Sequence, residues 1–577
     1  MRTKIFAALA ALAIFCYACN NQFRTKKLIQ TSSAFLSDSV RASSAAHDIT
    51  LEDVQQISVP APASKSKFAP PVSYQDEELQ VDYGNAIMKY NEATKDFNTE
   101  DYDHIVENNF LAASQNPLST FSIDVDQASY SNVRRFLQGG SLPPAGAVRI
   151  EELINYFDYQ YAKPEGDMPF AVYTEMGVCP WSPQHKLVHI GLQGKEIPVN
   201  NLPASNLVFL IDVSGSMDEW NKLTLVQESL KMLTDQLREQ DKVAIVVYAG
   251  NAGLVLPSTS GINKTSIKEA ISNLEAGGST AGGEGIKLAY KIALDNFIKG
   301  GNNRVILATD GDFNIGASSD DDMVRLIEQE RERGVYLSVL GFGMGNYKDN
   351  KMQLLADNGN GNHSYIDNLN EAKKVLVNEF GNTLFTIAKD VKIQVEFNPA
   401  NVQAYRLIGY ENRILAAQDF NDDKKDAGEL GSGHTVTALY EIIPAGVKDD
   451  FTKGVDSLKY QPNKKGLVSN TNELMTIKLR YKKPDENNSN VISVAVSNDD
   501  ALLDQSTNNF RFSAAVAEFG MLLRHSEYVQ QSNFQQVVSL AKSSLGADAH
   551  GYRNEFIQLV KSAETLTKNI AKKSTSQ

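Results

Sequence analysis

The stretch Leu207-Val-Phe-Leu-Ile-Asp212-Val-Ser214-Gly-Ser216 decides how this chain of 577 residues folds. Five apolar residues predict a buried strand, which delivers one carboxylate and two hydroxyls, in D-x-S-x-S spacing, onto the turn that follows it. One carboxylate and two hydroxyls on a single loop are half of a site for a divalent cation. The triplet alone also arises by chance, and Asp212 and Ser214 would serve equally well as caps of the next helix.

The sequence after this turn predicts alternating helices and strands. Apolar residues at 223, 226, 230, 233 and 237 have the spacing of an amphipathic helix over 222–237, and 281–298 is a second helical stretch. Apolar runs predict further strands at 243–248, 305–309 and 336–340. Such alternation favours right-handed crossovers, and therefore an α/β fold with a doubly wound, mainly parallel sheet and helices on both faces.

Two further polar residues fall where this sheet would place them beside Asp212. Thr280 opens the second helical stretch after a glycine-rich segment, and Asp310 follows the strand over 305–309. In open parallel sheets the ligand crevice lies beyond the carboxyl ends of the strands. All these side chains are therefore expected at this one edge of the sheet, the rim. Mg²⁺ is usually held by one or two carboxylates and keeps several waters. We therefore predict a site for Mg²⁺, or for Mn²⁺ or Ca²⁺, formed by Asp212, Ser214, Ser216, Thr280 and Asp310.

The order and spacing of these five residues resemble the von Willebrand factor A domain with a metal-ion-dependent adhesion site. That family has D-x-S-x-S, a threonine after a glycine-rich loop, and an aspartate in T-D-G, which here is Thr309-Asp-Gly311. The resemblance places an A domain over 204–388, and the choice of Thr280 over Ser279 rests on it. It implies that an open or water-filled position on the ion accepts a carboxylate from a protein partner. Some domains of this fold keep the pattern and bind no protein ligand through it.

The N-terminus resembles the signal of a bacterial lipoprotein over residues 1–19. A positively charged start precedes the apolar stretch from Ile5 to Ala18, which at 14 residues is too short for a transmembrane helix of about 20. In the resembling lipobox Cys19 would be lipidated, although Cys16 stands where leucine is usual. An ordinary cleaved signal peptide is the alternative. Residues 20–80, rich in Ser, Ala, Gln and Pro, predict a flexible tether.

Charge and cysteine content narrow the class of protein. Removal of the signal leaves 54 basic against 70 acidic residues, a net charge of −16, which argues against nucleic acid and against a polybasic membrane face. Cys179 is then the single cysteine without lipid, so no intramolecular disulfide framework is expected, and we predict a buried, inert thiol. The residue after Cys19 is Asn20, whereas an aspartate at this position is associated with inner-membrane retention in some bacteria. This favours an outer-membrane anchor in the cell envelope, with the protein facing the periplasm.

Segments on both sides of the A domain show the alternation of half-buried strands. It occurs at 166–203 and recurs within 389–500, for example at Val391, Ile393, Val395 and Phe397. We hypothesise that these segments complete one β-sandwich into which the A domain is inserted. Helical patterns fill an N-terminal extension over 81–165 and the C-terminal region over 501–577. In the extension, Asp124 and Asp126 are interpreted as a strand end and a helix cap, because nothing downstream completes a cation site.

Three parts of the chain together resemble the YfbK-type family of bacterial lipoproteins, from about residue 85 to the end. They are the extension, the A domain, and a C-terminal domain that carries Arg406-Leu-Ile-Gly-Tyr-Glu-Asn-Arg413, Gly431-Ser-Gly-His434 and Phe510-Arg-Phe-Ser-Ala-Ala-Val-Ala-Glu-Phe519. The role of that family is itself poorly defined, so the resemblance does not identify a partner.

The functional prediction is a protein-binding module and not an enzyme. The sequence has no H-E-x-x-H, no G-x-S-x-G and no G-x-x-x-x-G-K-[ST]. We predict a membrane-anchored, divalent-cation-dependent module of the bacterial envelope that captures an exposed Asp or Glu of a partner protein. The alternative is an envelope scaffold in which the metal is only stabilising. An enzyme using the metal as a Lewis acid would need a pocket of titratable groups beside Ser214, which the sequence does not indicate.

Overall fold

The computed structural model describes residues 99–279, 282–311, 313, 320–379, 385–425, 427–452, 471–484, 486, 488–498 and 502–575. Three predictions therefore lie outside the described residues: the lipoprotein signal with Cys19, the tether over 20–80, and the metal ligand Thr280. Among the helices that are described, none is both long enough and apolar enough to span a membrane.

The strands of the described residues form three sheets, with helices packed around them. In chain order the strands are β1 (Leu111–Ala112), β2 (Leu118–Ser122), β3 (Phe170–Cys179), β4 (Ser182–Gly194), β5 (Ser205–Asp212), β6 (Lys242–Tyr248), β7 (Ala252–Ser260), β8 (Asn302–Thr309), β9 (Val335–Phe342), β10 (His363–Ile366), β11 (Thr386–Phe397), β12 (Val402–Ile408), β13 (Ile414–Leu415), β14 (Gly428–Gly431), β15 (Thr435–Pro444), β16 (Glu473–Lys482) and β17 (Asn490–Ser497). The helices are α1 (Ala128–Gln138), α2 (Ile150–Asn155), α3 (Leu223–Gln236), α4 (Lys264–Ser272), α5 (Gly282–Asp295), α6 (Asp320–Glu332), α7 (Asp349–Asn358), α8 (Leu369–Lys373), α9 (Asn508–Arg524), α10 (Phe534–Ser543) and α11 (Tyr552–Thr575).

The A-domain sheet has the strand order β10-β9-β8-β5-β6-β7. β5 pairs in parallel with β6 on one side and β8 on the other, and β7 runs antiparallel to β6 at the edge. Alternate residues of β5 enter two separate cores, Val208 and Leu210 on one face and Phe209 and Ile211 on the other. Helices cover both faces, and the predicted α/β fold with a doubly wound, mainly parallel sheet is confirmed.

Two sheets outside the A domain pack face to face as a sandwich. Their orders are β1-β12-β15-β4-β3 and β13-β2-β11-β16-β17. Apolar side chains of both sheets enter one core, for example Ile190 and Tyr440 from the first sheet and Val395 and Ile477 from the second. β4 precedes the A domain in sequence and pairs along its length with β15, which follows it. The expected pairing between 166–203 and 389–500 is therefore present in the structure.

The N-terminal extension contributes more to the sandwich than its helical patterns indicated. β2 lies inside the second sheet, between β13 and β11. The interpretation of Asp126 as a helix cap was wrong, because α1 begins after Gln127, which forms no side-chain cap. Asp126 instead accepts a hydrogen bond from the backbone N–H of His363 at 2.7 Å and lies 3.5 Å from the guanidinium of Arg413. The carboxylate therefore joins the extension to the A domain and to the sandwich.

Helices of the N-terminal extension and of the C-terminal region pack together in one layer. Aromatic residues of the extension, such as Tyr130 and Phe157, pack against Phe512 of α9 and Phe556 of α11. Cys179 lies in the same core, where burial raises the pKa of its thiol well above the usual value. A thiol without access to solvent and with a raised pKa is unreactive at neutral pH, as predicted.

Candidate metal centre

The parallel pairing of β5 and β8 brings the two predicted aspartates to one edge of the sheet. Ile211 is paired with Ala308, so Asp212 at the end of β5 and Asp310 directly after β8 lie side by side. Strand order reverses between these two strands, because β6 lies on the other side of β5. In doubly wound sheets the ligand crevice forms at this reversal. Neither aspartate has measurable solvent exposure.

The Asp212 carboxylate is held by the turn that it begins. One oxygen accepts a hydrogen bond from the backbone N–H of Ser214 at 2.9 Å, and the other accepts one from the Thr309 hydroxyl at 3.3 Å. Burial raises the pKa of Asp212 to about 6, and the negative charge of Asp310 adds to the increase. Two adjacent buried carboxylates repel each other, so a cation between them would stabilise both.

The two serines extend this cluster toward solvent. Ser214 is buried, Ser216 is exposed, and their hydroxyl oxygens lie 3.0 Å apart. The loop before Thr280 is fastened to the same turn, because Gly277 donates its N–H to the Val213 carbonyl at 2.7 Å and Gly215 donates to the Gly278 carbonyl at 3.0 Å. Gly278 has a φ of +86°, which favours glycine. Four of the five predicted ligands are thus described, and they form one group.

Two residues that the sequence analysis missed contact Asp310. The Lys222 ammonium lies 3.1 Å from one Asp310 oxygen, and the Asn346 side-chain amide donates to the same oxygen at 2.9 Å. Lys222 is only 3% exposed. A lysine directly before the first turn of α3 opposes the helix dipole, and this was the sequence signal that could have singled it out.

The loop that carries Asn346 is held in place by the extension. Thr99 donates its backbone N–H to the Gly345 carbonyl at 2.7 Å, and Asp101 donates to the Tyr347 carbonyl at 3.1 Å. Gly311, next to Asp310, has a φ of +99°, and a Cβ there would lie 2.7 Å from the backbone nitrogen of Lys348. The extension therefore fixes one wall of the rim without supplying a ligand.

The donor set suits a hard divalent cation. Within the described residues no group of three or more His, Cys, Asp or Glu side chains could hold a metal ion. Carboxylates at Asp212 and Asp310 with hydroxyls at Ser214 and Ser216 are the ligands that Mg²⁺ and Mn²⁺ accept. The residues present therefore fit such an ion, and they would hold it with its exposed side at Ser216.

The fold and this rim define a von Willebrand factor type A domain. The sequence model of that description matches residues 206–378, and a model described as von Willebrand factor matches 96–189. A third model, described as the C-terminal part of the uncharacterized protein YfbK, matches 382–566. The chain belongs to the YfbK family: it is 46% identical over 477 residues to the uncharacterized protein YfbK of Escherichia coli (strain K12), which covers 81% of this chain and 82% of that protein.

Solved structures with the same domain are more distant. A von Willebrand factor type A protein from Catenulispora acidiphila is 16% identical, covers 67% of this chain and 89% of that chain, and has a TM-score of 0.37. Proximal thread matrix protein 1 from the mussel byssus, with a zinc-occupied MIDAS motif, is 23% identical and covers 31% of this chain and 45% of that chain, with a TM-score of 0.26. The matched A domain indicates a protein-interaction module.

Proposed function

We propose that this protein is a divalent-cation-dependent binding module of the bacterial cell envelope that captures an acidic residue of a partner protein. The ion would be held by Asp212, Ser214, Ser216, Thr280 and Asp310, and the protein would be anchored by lipid on Cys19. The supporting observation is the meeting of two buried carboxylates with the Ser214 and Ser216 hydroxyls at one edge of the sheet. Hydroxyl ligands are neutral, so the bound ion keeps positive charge toward an incoming carboxylate.

Exposed apolar residues beside the rim support a protein as the partner. Trp220 is 77% exposed and lies between Ser216 and Lys222 in the loop that leaves the metal turn. Met344 is 47% exposed and precedes the Gly345–Asn346 segment that flanks Asp310. Large exposed apolar side chains next to a charged centre are typical of the anchor residues of protein interfaces.

A scaffold role, in which the metal is only stabilising, is the second candidate. Lys222 already provides one positive charge to Asp310, and backbone hydrogen bonds from the extension hold the Asn346 loop. The rim therefore has a means of remaining folded before it binds an ion.

The first test is calorimetric titration of Mg²⁺, Mn²⁺ and Ca²⁺ into the mature chain and its Asp212→Ala variant. Loss of an outer-shell partner weakens metal binding by about 10- to 100-fold, so loss of this ligand should weaken it by more than about 100-fold. Asp235→Ala is the control, because Asp235 is an exposed aspartate on α3 of the same domain. We expect it to bind like the wild type.

Partner capture distinguishes the two candidates. If a partner is retained with Mg²⁺, and is lost both with EDTA and in a folded Asp212→Ala variant, the binding function is supported. If folded wild-type protein binds none of the three ions, the cation-dependent proposal fails and the scaffold function is favoured.

A further inference from the structure

A polar cavity lies at the opposite end of the A domain from the metal centre, against the β-sandwich. It has a volume of about 320 Å³. A-domain residues at the start of β8 and the end of α7 form one wall, and sandwich residues around β13 and β14 form the other. Arg304 lies six positions before Asp310 along β8, which places the cavity about 20 Å from the metal centre at the rise of a β-strand.

Arg304 is a buried cation that forms no ion pair with the described carboxylates. It is 1% exposed and lines the cavity. Its Nη1 donates to the Ser338 hydroxyl at 2.7 Å, its Nε has no hydrogen-bond partner, and it forms no ion pair within the described part of the chain. The ring of Tyr336 lies 5.5 Å from the guanidinium carbon, and the charge of Glu429 also favours the charged form of Arg304. Burial lowers the pKa of Arg304 to about 10, so the group remains charged at neutral pH.

Other charged residues of the same cavity have partners. Arg413 lies 3.2 Å from an Asp124 oxygen and 2.7 Å from an Asp357 oxygen. Glu429 accepts a hydrogen bond from the side-chain amide of Asn360 at 3.0 Å. An isolated buried charge is far more costly than a paired one. The charge of Glu429 acts on Arg304 without forming an ion pair with it, so the cavity leaves room for a closer counter-charge from outside the chain.

We propose that this cavity binds a small oxyanion, a carboxylate or phosphate group, through the guanidinium of Arg304. Lys425 is exposed, lines the same cavity, and forms no ion pair in the described residues, so it adds a second positive charge at the opening. At about 30 Å³ per water, the volume corresponds to roughly ten waters, enough for a small organic acid or phosphate ester. Because the cavity is lined by both parts, the bound anion stabilises the junction between the A domain and the sandwich.

The test measures thermal unfolding in EDTA with acetate, citrate, phosphate and sulfate at constant ionic strength, with chloride as reference. EDTA removes any contribution of the metal centre, so the outcome does not depend on the proposed function. We expect the wild type to show a saturable rise of the unfolding temperature with at least one oxyanion. The series separates carboxylate from phosphate and sulfate as the preferred group.

Arg304→Met is the decisive variant. It removes an uncompensated buried charge, so in chloride it should unfold at a higher temperature than the wild type. Its affinity for the stabilising anion should fall at least tenfold. Arg333→Met is the matched control, because Arg333 is an arginine of the same domain that is 57% exposed and paired with Glu330. It should leave the anion response unchanged.

Two outcomes would overturn the proposal: a wild type with no saturable response beyond that of chloride, or an Arg304→Met variant with wild-type affinity. Lys425→Glu provides a second variant at the exposed opening, where folding is not at risk. It should weaken anion binding, and unchanged affinity in that variant would contradict the assigned charge at the opening.

Discussion

Asp310 and Arg304 lie near opposite ends of the same strand, β8, and their charges differ in the partners that surround them. Asp310 follows the carboxyl end of β8 and has Lys222 and Asn346 within hydrogen-bond distance. Arg304, near the other end, has one hydroxyl partner and no ion pair in the described residues. Both side chains are almost completely buried. The difference separates a charge that the fold neutralises with an ion pair from one that it leaves without an ion pair in the described residues.

The buried arginines that join the extension to the A domain are neutralised by ion pairs. Arg149 is buried, pairs with Glu152, and donates from Nη2 to Asp349 at 3.2 Å, at the start of α7. Arg134 is likewise buried between Asp367 and Glu371 of the A domain. Such pairs contribute little net stability when complete, but their loss leaves a charge buried without a partner. Three predictions test whether this distinction between partnered and unpartnered charges holds.

The largest effect is expected for Arg149→Met. The change leaves Glu152 and Asp349 buried without their counter-charge, and it should lower the free energy of unfolding by about 3–5 kcal/mol. Urea denaturation measures it. The exposed pair of Arg333 with Glu330 provides the contrast, since Arg333→Met should change stability by less than about 1 kcal/mol. Equal effects at the two positions would remove the distinction.

Glu518→Gln tests a second buried charge that forms no ion pair in the described residues, this time an acid. Glu518 lies on α9 without measurable exposure, and burial raises its pKa to about 7 from 4.5. A raised carboxyl pKa contributes stability below the pKa of the unfolded chain, and that stability is lost as the pH rises through about 7. The variant should match the wild type near pH 4 and be more stable by about 3 kcal/mol at pH 9.

Denaturation across that pH range measures the effect of Glu518→Gln. Glu228→Gln is the control, because Glu228 is an exposed acid on α3 whose removal should give no such pH dependence. A Glu518 variant that is less stable than the wild type at pH 9 would show that the charged form has a stabilising partner.

The smallest effect is expected for Lys222→Met at the metal rim. The ammonium shares Asp310 with any bound cation, so its removal should tighten Mn²⁺ binding by about tenfold, which corresponds to about 1.4 kcal/mol. Calorimetric titration measures the affinity. Lys231→Met on the same helix is the control, since Lys231 pairs with Glu228 away from the rim. Weaker binding in Lys222→Met would instead show that Lys222 positions Asp310 for the ion.

Local patterns predicted the central strands and two of the helices of the A domain. Strands predicted at 243–248 and 305–309 correspond to β6 and β8, and the helix predicted over 222–237 corresponds to α3. Fully buried parallel strands appear in the sequence as continuous apolar runs, and an amphipathic helix shows the helical period in the spacing of its apolar residues. β7 was missed because it is an edge strand whose residues are mostly half-buried or exposed, so its apolar pattern is weak.

The sequence by itself predicted the central strands of the A domain, the alternation of sandwich strands, and a set of candidate metal ligands, four of which are described and lie at one rim. Only the tertiary structure decided that β2 enters the second sheet, that Lys222 and Asn346 reach Asp310, and that Arg304 lines a cavity without forming an ion pair in the described residues. The physical reason is the range of the interactions. A strand, a helix and a D-x-S-x-S turn are specified by neighbours in sequence, whereas the partner of a buried charge is chosen among residues brought together only when the chain has packed.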